Sequence, residues 1–301
     1  MRYRLAQVAF VALAWLLTAA GSVNGQAAAP DIRPDGSCAP SSASIDEPSG
    51  PEISVANVTF SGFLQLPISG QNEIASSITQ QTYGSASPDN VSEEALERAR
   101  IGWQDHGYFK AQVNGYATTL TSTPISRRIS LSIHIDEGLQ YSLGGISSKG
   151  NTAISDLAAL RALFPIKEGD IFSREKIAKG LENLRKAYGE MGYIDFTSIP
   201  DTKFDDERRL IYLDIDINEG RQFYVGEIDV IGLSDAAREE LLKSVPMMRG
   251  QIFNSRLWEL TQKLGSKVTN CGCAENPAVM PDERQGMVNL TFDFRPCLAE
   301  K

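Results

Sequence analysis

Three stretches of the chain alternate strictly between apolar and other residues over seven positions. They are 129–135 (ISLSIHI), 211–217 (IYLDIDI) and 288–294 (VNLTFDF). Because a period of two places every second side chain on the same face of an extended strand, each stretch predicts a strand with one buried and one solvated face. Their leucines, Leu131, Leu213 and Leu290, recur at nearly equal intervals. The strands therefore mark an internal repeat of about 80 residues.

The segments between these strands recur as well. A further strand pattern at 141–150 overlays 223–232, and 53–62 is a weaker, earlier copy. In the second unit, 154–163 predicts a short helix, and Ser173 is placed to cap a longer one. The apolar side of that longer helix is spaced for packing on a sheet; it comprises Ile177, Leu181, Leu184, Tyr188 and Met191. Each unit thus reads strand, helix, helix, strand, strand.

A glycine followed by an aromatic residue closes the long helix in the first two units. The pairs are Gly107-Tyr108 and Gly192-Tyr193, separated by close to one repeat length. Glycine is favoured there because it adopts the left-handed conformation that ends a helix. We expect a strand to begin directly after each glycine.

The N-terminus has the pattern of an export signal. Arg2 and Arg4 precede an apolar stretch at 8–20, which is shorter than the roughly 20 residues that a spanning helix needs. We predict a signal peptide over 1–25, with an uncleaved membrane anchor as the alternative. The following 26–52 holds five of the 14 prolines and no apolar periodicity, which predicts a flexible, disordered tether.

The repeat resembles the POTRA (polypeptide-transport-associated) domain, most closely in the second unit and over about 53–297 in all. The residues that carry the resemblance are Gly169, Phe172, Ser173, Gly180, Tyr188, Gly192, Glu219, Gly220, Gly226 and Gly232. The resemblance implies an α+β fold of tandem modules, each a three-stranded mixed sheet covered by two helices on one face. The expected modules are 53–138, 139–220 and 221–301.

POTRA domains are periplasmic modules of outer-membrane assembly and secretion proteins, the Omp85-type insertases and two-partner secretion transporters. In that topology the middle strand of the unit lies at the sheet edge, where an extended client can add itself as a further strand. Here the edge strands would be 108–116 and 193–199. Their candidate client-binding side chains are Tyr108, Phe109, Val113, Tyr193, Ile194 and Phe196. The alternative is that these side chains pack against their own helices.

The third unit departs from the pattern. It lacks a glycine–aromatic edge strand, and 267–285 instead carries two cysteines and two prolines. We expect a capped terminal module, with Cys297 pairing with either Cys271 or Cys273 in an oxidising compartment. Because the chain ends at Lys301, directly after this unit, we expect no membrane barrel, and that puts insertase activity in doubt.

Charge and composition narrow the function further. With 29 Lys+Arg against 38 Asp+Glu the net charge is −9, and it becomes −11 without the two arginines of 1–25. This net negative charge excludes the basic surface that a nucleic-acid-binding protein needs. For the same reason we expect the protein to associate with the outer membrane indirectly, through a protein partner. No cofactor or metal site is predicted. Ser173 and Lys176 match an S-x-x-K active-site motif whose companion motifs are missing, so a helix cap is the preferred interpretation.

The sequence therefore predicts a non-enzymatic periplasmic scaffold. It would dock unfolded outer-membrane clients, or an outer-membrane barrel protein, by β-strand augmentation. Two alternatives remain open: a periplasmic adaptor that organises envelope or division complexes, and an envelope enzyme.

Overall fold

The computed structural model describes residues 52–81, 83, 88–265 and 278–295. The predicted signal peptide, the tether up to residue 51 and all four cysteines (Cys38, Cys271, Cys273 and Cys297) lie outside these residues.

The described elements follow the repeat. The first module contains β1 (Glu52–Ser61), α1 (Ile68–Thr79), α2 (Pro88–Asp105), β2 (Gln112–Ser122) and β3 (Ser126–Asp136). The second contains β4 (Ser142–Lys149), α3 (Leu157–Ala162), α4 (Arg174–Glu190), β5 (Thr197–Asp205) and β6 (Leu210–Asn218). The third contains β7 (Tyr224–Ile231), α5 (Asp235–Ser244), α6 (Ser255–Gly265), β8 (Ala278–Asp282) and β9 (Met287–Asp293).

Each module forms one three-stranded mixed sheet. The strand orders are β1-β3-β2, β4-β6-β5 and β7-β9-β8. In each sheet the last strand in sequence lies at the centre, parallel to the first strand and antiparallel to the second. The α+β fold class expected from the sequence is confirmed. The first and second strands of each module lie at the two edges of its sheet.

The alternating apolar residues of the central strands form the cores. Ile129, Leu131, Ile133 and Ile135 are at most 1% exposed, and the same side of β6 and β9 is buried in its own cluster. Each such side chain contributes about 1.5–3 kcal/mol by leaving water. The helix α4 supplies Ile177, Leu184 and Tyr188 to the second core, as its spacing predicted.

The predicted helix ends are also confirmed. The Ser173 hydroxyl accepts a hydrogen bond from the Lys176 N–H (3.2 Å), so this serine caps α4. Gly107 and Gly192 have φ values of +87° and +86°, which other residues adopt only with strain. No helix in the described parts of the chain is long and apolar enough to cross a membrane.

A glutamate at the end of the central strand ties three elements together in the first two modules. The Glu137 carboxylate, 2% exposed, accepts hydrogen bonds from the backbone N–H of Gln65 (2.6 Å) and Leu66 (3.1 Å) and from Trp103 Nε1 (2.8 Å). It therefore joins the loop before α1, the helix α2 and the end of β3.

Glu219 repeats this arrangement at the equivalent position of the second module. Its carboxylate accepts from the N–H of Thr152 (2.7 Å) and Ala153 (2.8 Å) and from the Tyr188 hydroxyl (2.9 Å). Burial raises the pKa of Glu219, but the hydrogen bonds outweigh it and hold the pKa below its usual value. The pairs Glu137-Gly138 and Glu219-Gly220 recur in the sequence, and the carboxylate of each glutamate has a structural role in its module.

We expect Glu137→Ala to lower the free energy of unfolding by about 3 kcal/mol, because three donors lose a charged acceptor inside the module. The matched control is Glu94→Ala, which breaks only the exposed Arg98 pair on α2 and should change stability by less than about 0.5 kcal/mol. Urea unfolding followed by circular dichroism measures both. Equal losses would show that the buried carboxylate has no special role.

Candidate docking edges and module joints

In each module the second strand in sequence lies at a sheet edge. These three edge strands differ in length and in proline content. On its outer side β2 pairs with no strand among the described residues, and it runs for 11 residues without proline. By contrast, β5 has 9 residues and contains Pro200, and β8 has 5 and contains Pro281. Because proline has no N–H to donate, it interrupts the pairing of an added strand. The longest unbroken edge therefore belongs to β2.

The predicted bounds of these strands were wrong. We expected edge strands at 108–116 and 193–199, but β2 begins at Gln112 and β5 at Thr197. A short turn follows each helix-ending glycine before the strand starts. Of the six candidate side chains only Val113 lies in a strand, where it is 7% exposed and pairs with Ile135.

The other five candidates lie in the turns. Tyr108 is buried in the first core, and Tyr193 and Phe196 pack on the Tyr188 ring at centroid distances of 5.8 Å and 4.4 Å. Two of the five reach across to the next module: Phe109 packs on the second core and Ile194 on the third. Contact with a client at these six residues stays a prediction.

Phe109 lies at the centre of an aromatic contact between the first two modules. Its ring centroid is 5.5 Å from that of Phe172 and 5.5 Å from that of Phe204. Residues from two modules therefore share one apolar cluster, which links the end of α2 to the second sheet.

The same backbone contact occurs at both module joints. The Tyr141 N–H donates to the Gly107 carbonyl (2.8 Å), and the Phe223 N–H donates to the Gly192 carbonyl (2.9 Å). A glutamine side chain adds a second bond at each joint, from Gln140 to His106 O and from Gln222 to Met191 O, both 2.9 Å. The turn after the second helix of one module is thus fixed to the start of the next module.

The helices also meet at each joint. The Asp105 carboxylate at the end of α2 accepts from the Glu175 N–H (2.5 Å), in the first turn of α4. At the second joint the Asn254 amide donates to the Glu190 carbonyl (2.9 Å), and Arg256 lies 3.9 Å from the Glu190 carboxylate. Burial raises the pKa of Asp105 despite the bond from Glu175.

A charged cluster closes the first joint on the sheet side. Lys110 Nζ lies 2.7 Å from Asp206 Oδ1, and the Tyr141 hydroxyl donates to the same oxygen at 2.7 Å. The ammonium also lies 4.6 Å from the centre of the Phe204 ring, a cation–π contact. Asp206 lies in an acidic run at 201–207 and is held by side chains from outside the β5–β6 hairpin. The signal that sequence reasoning missed is Lys110, which lies in the preceding module.

The described residues contain no group of three His, Cys, Asp or Glu side chains that could hold a metal ion. Ser173, the serine of the S-x-x-K match, is 6% exposed and engaged as the cap of α4.

Residues 141–220 match the POTRA family model, described as a surface antigen variable number repeat. The match spans the second module, which is therefore similar to a POTRA domain. A solved structure of POTRA domains 3–5 of BamA from Haemophilus influenzae superposes with a TM-score of 0.58 at 22% identity, covering 82% of this chain and 96% of that one. The described fold is therefore that of a series of POTRA domains.

Two sequence relatives carry the name "Outer membrane protein assembly factor BamA". The protein from Neisseria meningitidis is 23% identical over 232 residues, covering 72% of this chain. That from Buchnera aphidicola is 23% identical over 190 residues, covering 63%. The chain spans only 28% and 30% of the length of these relatives.

We expect Gly192→Ala to weaken the second joint. A Cβ there would lie 2.7 Å from the Phe223 carbonyl oxygen and 2.9 Å from Ile252 Cγ2. The matched control is Gly169→Ala, which has a similar positive φ (+87°) but nothing within 4 Å of the added carbon. Both variants carry the left-handed strain of about 1–2 kcal/mol. Only Gly192→Ala should also increase proteolytic cleavage at 220–223; equal cleavage of the two variants would contradict the close contact.

The Asp206 cluster predicts a pH-dependent joint. Hydrogen bonds from Lys110 and Tyr141 hold the pKa of Asp206 below its usual value. The bonds are therefore complete above the ordinary aspartate pKa of about 3.9 and are lost as the pH falls through the lower, folded value. A carboxyl-carbon NMR titration should find a higher midpoint in Lys110→Met than in the natural chain. Identical midpoints would show that Lys110 does not stabilise the carboxylate.

Proposed function

We propose that this chain is a non-enzymatic periplasmic scaffold in outer-membrane protein assembly. Its units would be the modules at 53–138, 139–220 and 221–301, behind a signal peptide (1–25) and a tether (26–52). The POTRA match of the second module and the names of the BamA relatives support this assignment. Periplasmic location and indirect attachment to the outer membrane, through a partner protein, belong to the same proposal.

The observation that carries the proposal is that the outer edge of each sheet pairs with no further strand among the described residues. Because the third strand of every module occupies the centre, the second strand keeps one side of its backbone available. An extended chain can bind there through main-chain hydrogen bonds, which are largely independent of its sequence. That suits a scaffold that receives many different barrel strands or docks a partner barrel protein.

The edges differ in the binding we expect of them. The principal site is Gln112–Thr119 of β2, the proline-free edge beside the sheet centre. The shorter site on β5 begins at Thr197, and there Ile199 is 66% exposed and can contact a side chain of the added strand. The six side chains predicted from the sequence would act mainly by holding the edges and joints in place.

We test this by titrating the isotope-labelled protein with a ten-residue peptide of alternating barrel-strand sequence. The largest amide shifts should run along β2 and β5, and a peptide of the same composition with two central prolines should not bind. In the second module, Ile199→Asp should weaken the shifts on β5. The control Leu157→Asp, at a side chain 61% exposed on α3, should leave them unchanged.

Shifts confined to the helices, or equal binding of both peptides, would exclude strand addition at these edges.

A further inference from the structure

The β2–β3 hairpin of the first module ends in an exposed surface that strand docking does not use. We define the hairpin tip as 119–128. Every residue from Thr119 to Ser126 is exposed, including Leu120 at 53% and Ile125 at 81%. Two large apolar side chains therefore extend into solvent at one end of the module, beyond the residues that pack under the helices.

The charge around the tip is opposite to that of the chain. About one residue in eight is acidic overall (38 of 301), yet the hairpin tip contains no Asp or Glu and carries Arg127 and Arg128. Arg127 Nε lies 3.4 Å from the Ser122 hydroxyl, and neither tip arginine forms an ion pair with a described residue. Across the sheet, Glu52 pairs in register with Ser126.

The corresponding hairpin tips of the other two modules form hydrogen bonds with side chains from outside their own hairpins. In the second module, Asp206 at the β5–β6 tip bonds to Lys110 and Tyr141 at the joint. In the third, the Glu283 carbonyl at the β8–β9 tip accepts a bond from Arg221 of the same module, much as the Ile125 carbonyl of the first tip accepts one from the Glu52 N–H (3.0 Å). Among the described residues the first module's tip has no contact with another module comparable to that of Asp206. It is also basic and apolar where the second is acidic, so the same position in the repeat serves a different purpose.

We propose that the hairpin tip binds an anionic phospholipid surface. Leu120 and Ile125 enter the headgroup boundary, while Arg127 and Arg128 place their guanidinium groups among the lipid phosphates. Amphipathic surfaces with apolar side chains beside arginine bind membranes in this way.

The small size of the patch favours a membrane over a protein. A stable protein interface buries about 800 Å² on each partner, far more than two side chains at a hairpin tip supply. A bilayer needs no matching pocket and accepts the apolar side chains singly. Since the chain as a whole is acidic, the contact is weak, sensitive to salt and limited to one orientation.

This inference goes beyond the proposed scaffold function. It adds a weak direct lipid contact to the proposed indirect attachment, and it does not depend on the partner protein. If it holds, the first module lies with its hairpin tip against a lipid headgroup layer. The edge of β2 between Gln112 and Thr119 would then lie beside that layer.

The test is co-sedimentation of the purified chain, with the same N-terminus in every variant, with vesicles of phosphatidylglycerol and phosphatidylethanolamine or of phosphatidylcholine alone. We expect binding to the anionic vesicles only, lost at high salt. The double variant Arg127→Gln, Arg128→Gln should lower the partition coefficient about 25-fold, or fivefold per charge. Leu120→Ser with Ile125→Ser should lower it about tenfold.

A further variant is expected to raise vesicle binding instead of lowering it. Removing the neighbouring acid with Glu52→Gln should raise binding to anionic vesicles about fivefold. The matched controls are Arg238→Gln, at an exposed arginine on α5, and Leu157→Ser, at an exposed leucine on α3 of the second module. Neither should change binding, and all variants should keep the unfolding midpoint of the natural chain.

Unchanged binding in the tip variants, or no binding to anionic vesicles, would overturn the proposal. So would a concentration-dependent dimer that the Leu120→Ser, Ile125→Ser variant abolishes, because the tip would then be a protein interface.

Discussion

The central position of the last strand in each module is the constraint on which the rest of the structure depends. The alternating apolar residues of β3, β6 and β9 bury one face under two helices, and both sides of each strand are paired. The first and second strands must then lie at the edges. Among the described residues, the outer side of each second strand then pairs with no further strand.

The same constraint explains the regular spacing within the repeat. A glutamate at the end of the central strand, Glu137 or Glu219, accepts hydrogen bonds from backbone N–H groups of the loop before the first helix. It also accepts one from an aromatic side chain of the second helix, Trp103 or Tyr188. A glycine at the end of the second helix, Gly107 or Gly192, lets the next module approach closely enough to bond its carbonyl. The repeat therefore includes its own connector, because the turn after the second helix of one module binds the start of the next module.

The local features could be predicted from the sequence because local patterns determine them. The seven-residue alternations, the Ser173 cap and the helix-ending glycines each depend on residues a few positions apart. The bounds of the edge strands could not, because Phe109 and Ile194 are drawn into the core of the following module. Aromatic and branched residues after a glycine have the composition of a strand, and only the tertiary contact places them in a turn.

Long-range partners likewise set the chemistry of the joints. The acidic run at 201–207 has no unusual local pattern, and its role depends on Lys110 and Tyr141, which are distant from Asp206 in sequence. The buried state of Glu137 likewise depends on donors from the loop before α1, far earlier in the chain. The sequence shows that the glutamate recurs, whereas the fold shows which groups the glutamate and Asp206 contact.

The central claim is that the outer edge of β2 receives extended chains, and photo-crosslinking in cells tests it most directly. A crosslinking residue at Thr118, exposed on the edge strand, is compared with one at Ser132 on the central strand of the same sheet. The account predicts adducts with unfolded outer-membrane proteins, or with a barrel partner, from Thr118 and few from Ser132. Equal adducts from both positions, or none from Thr118, would contradict it.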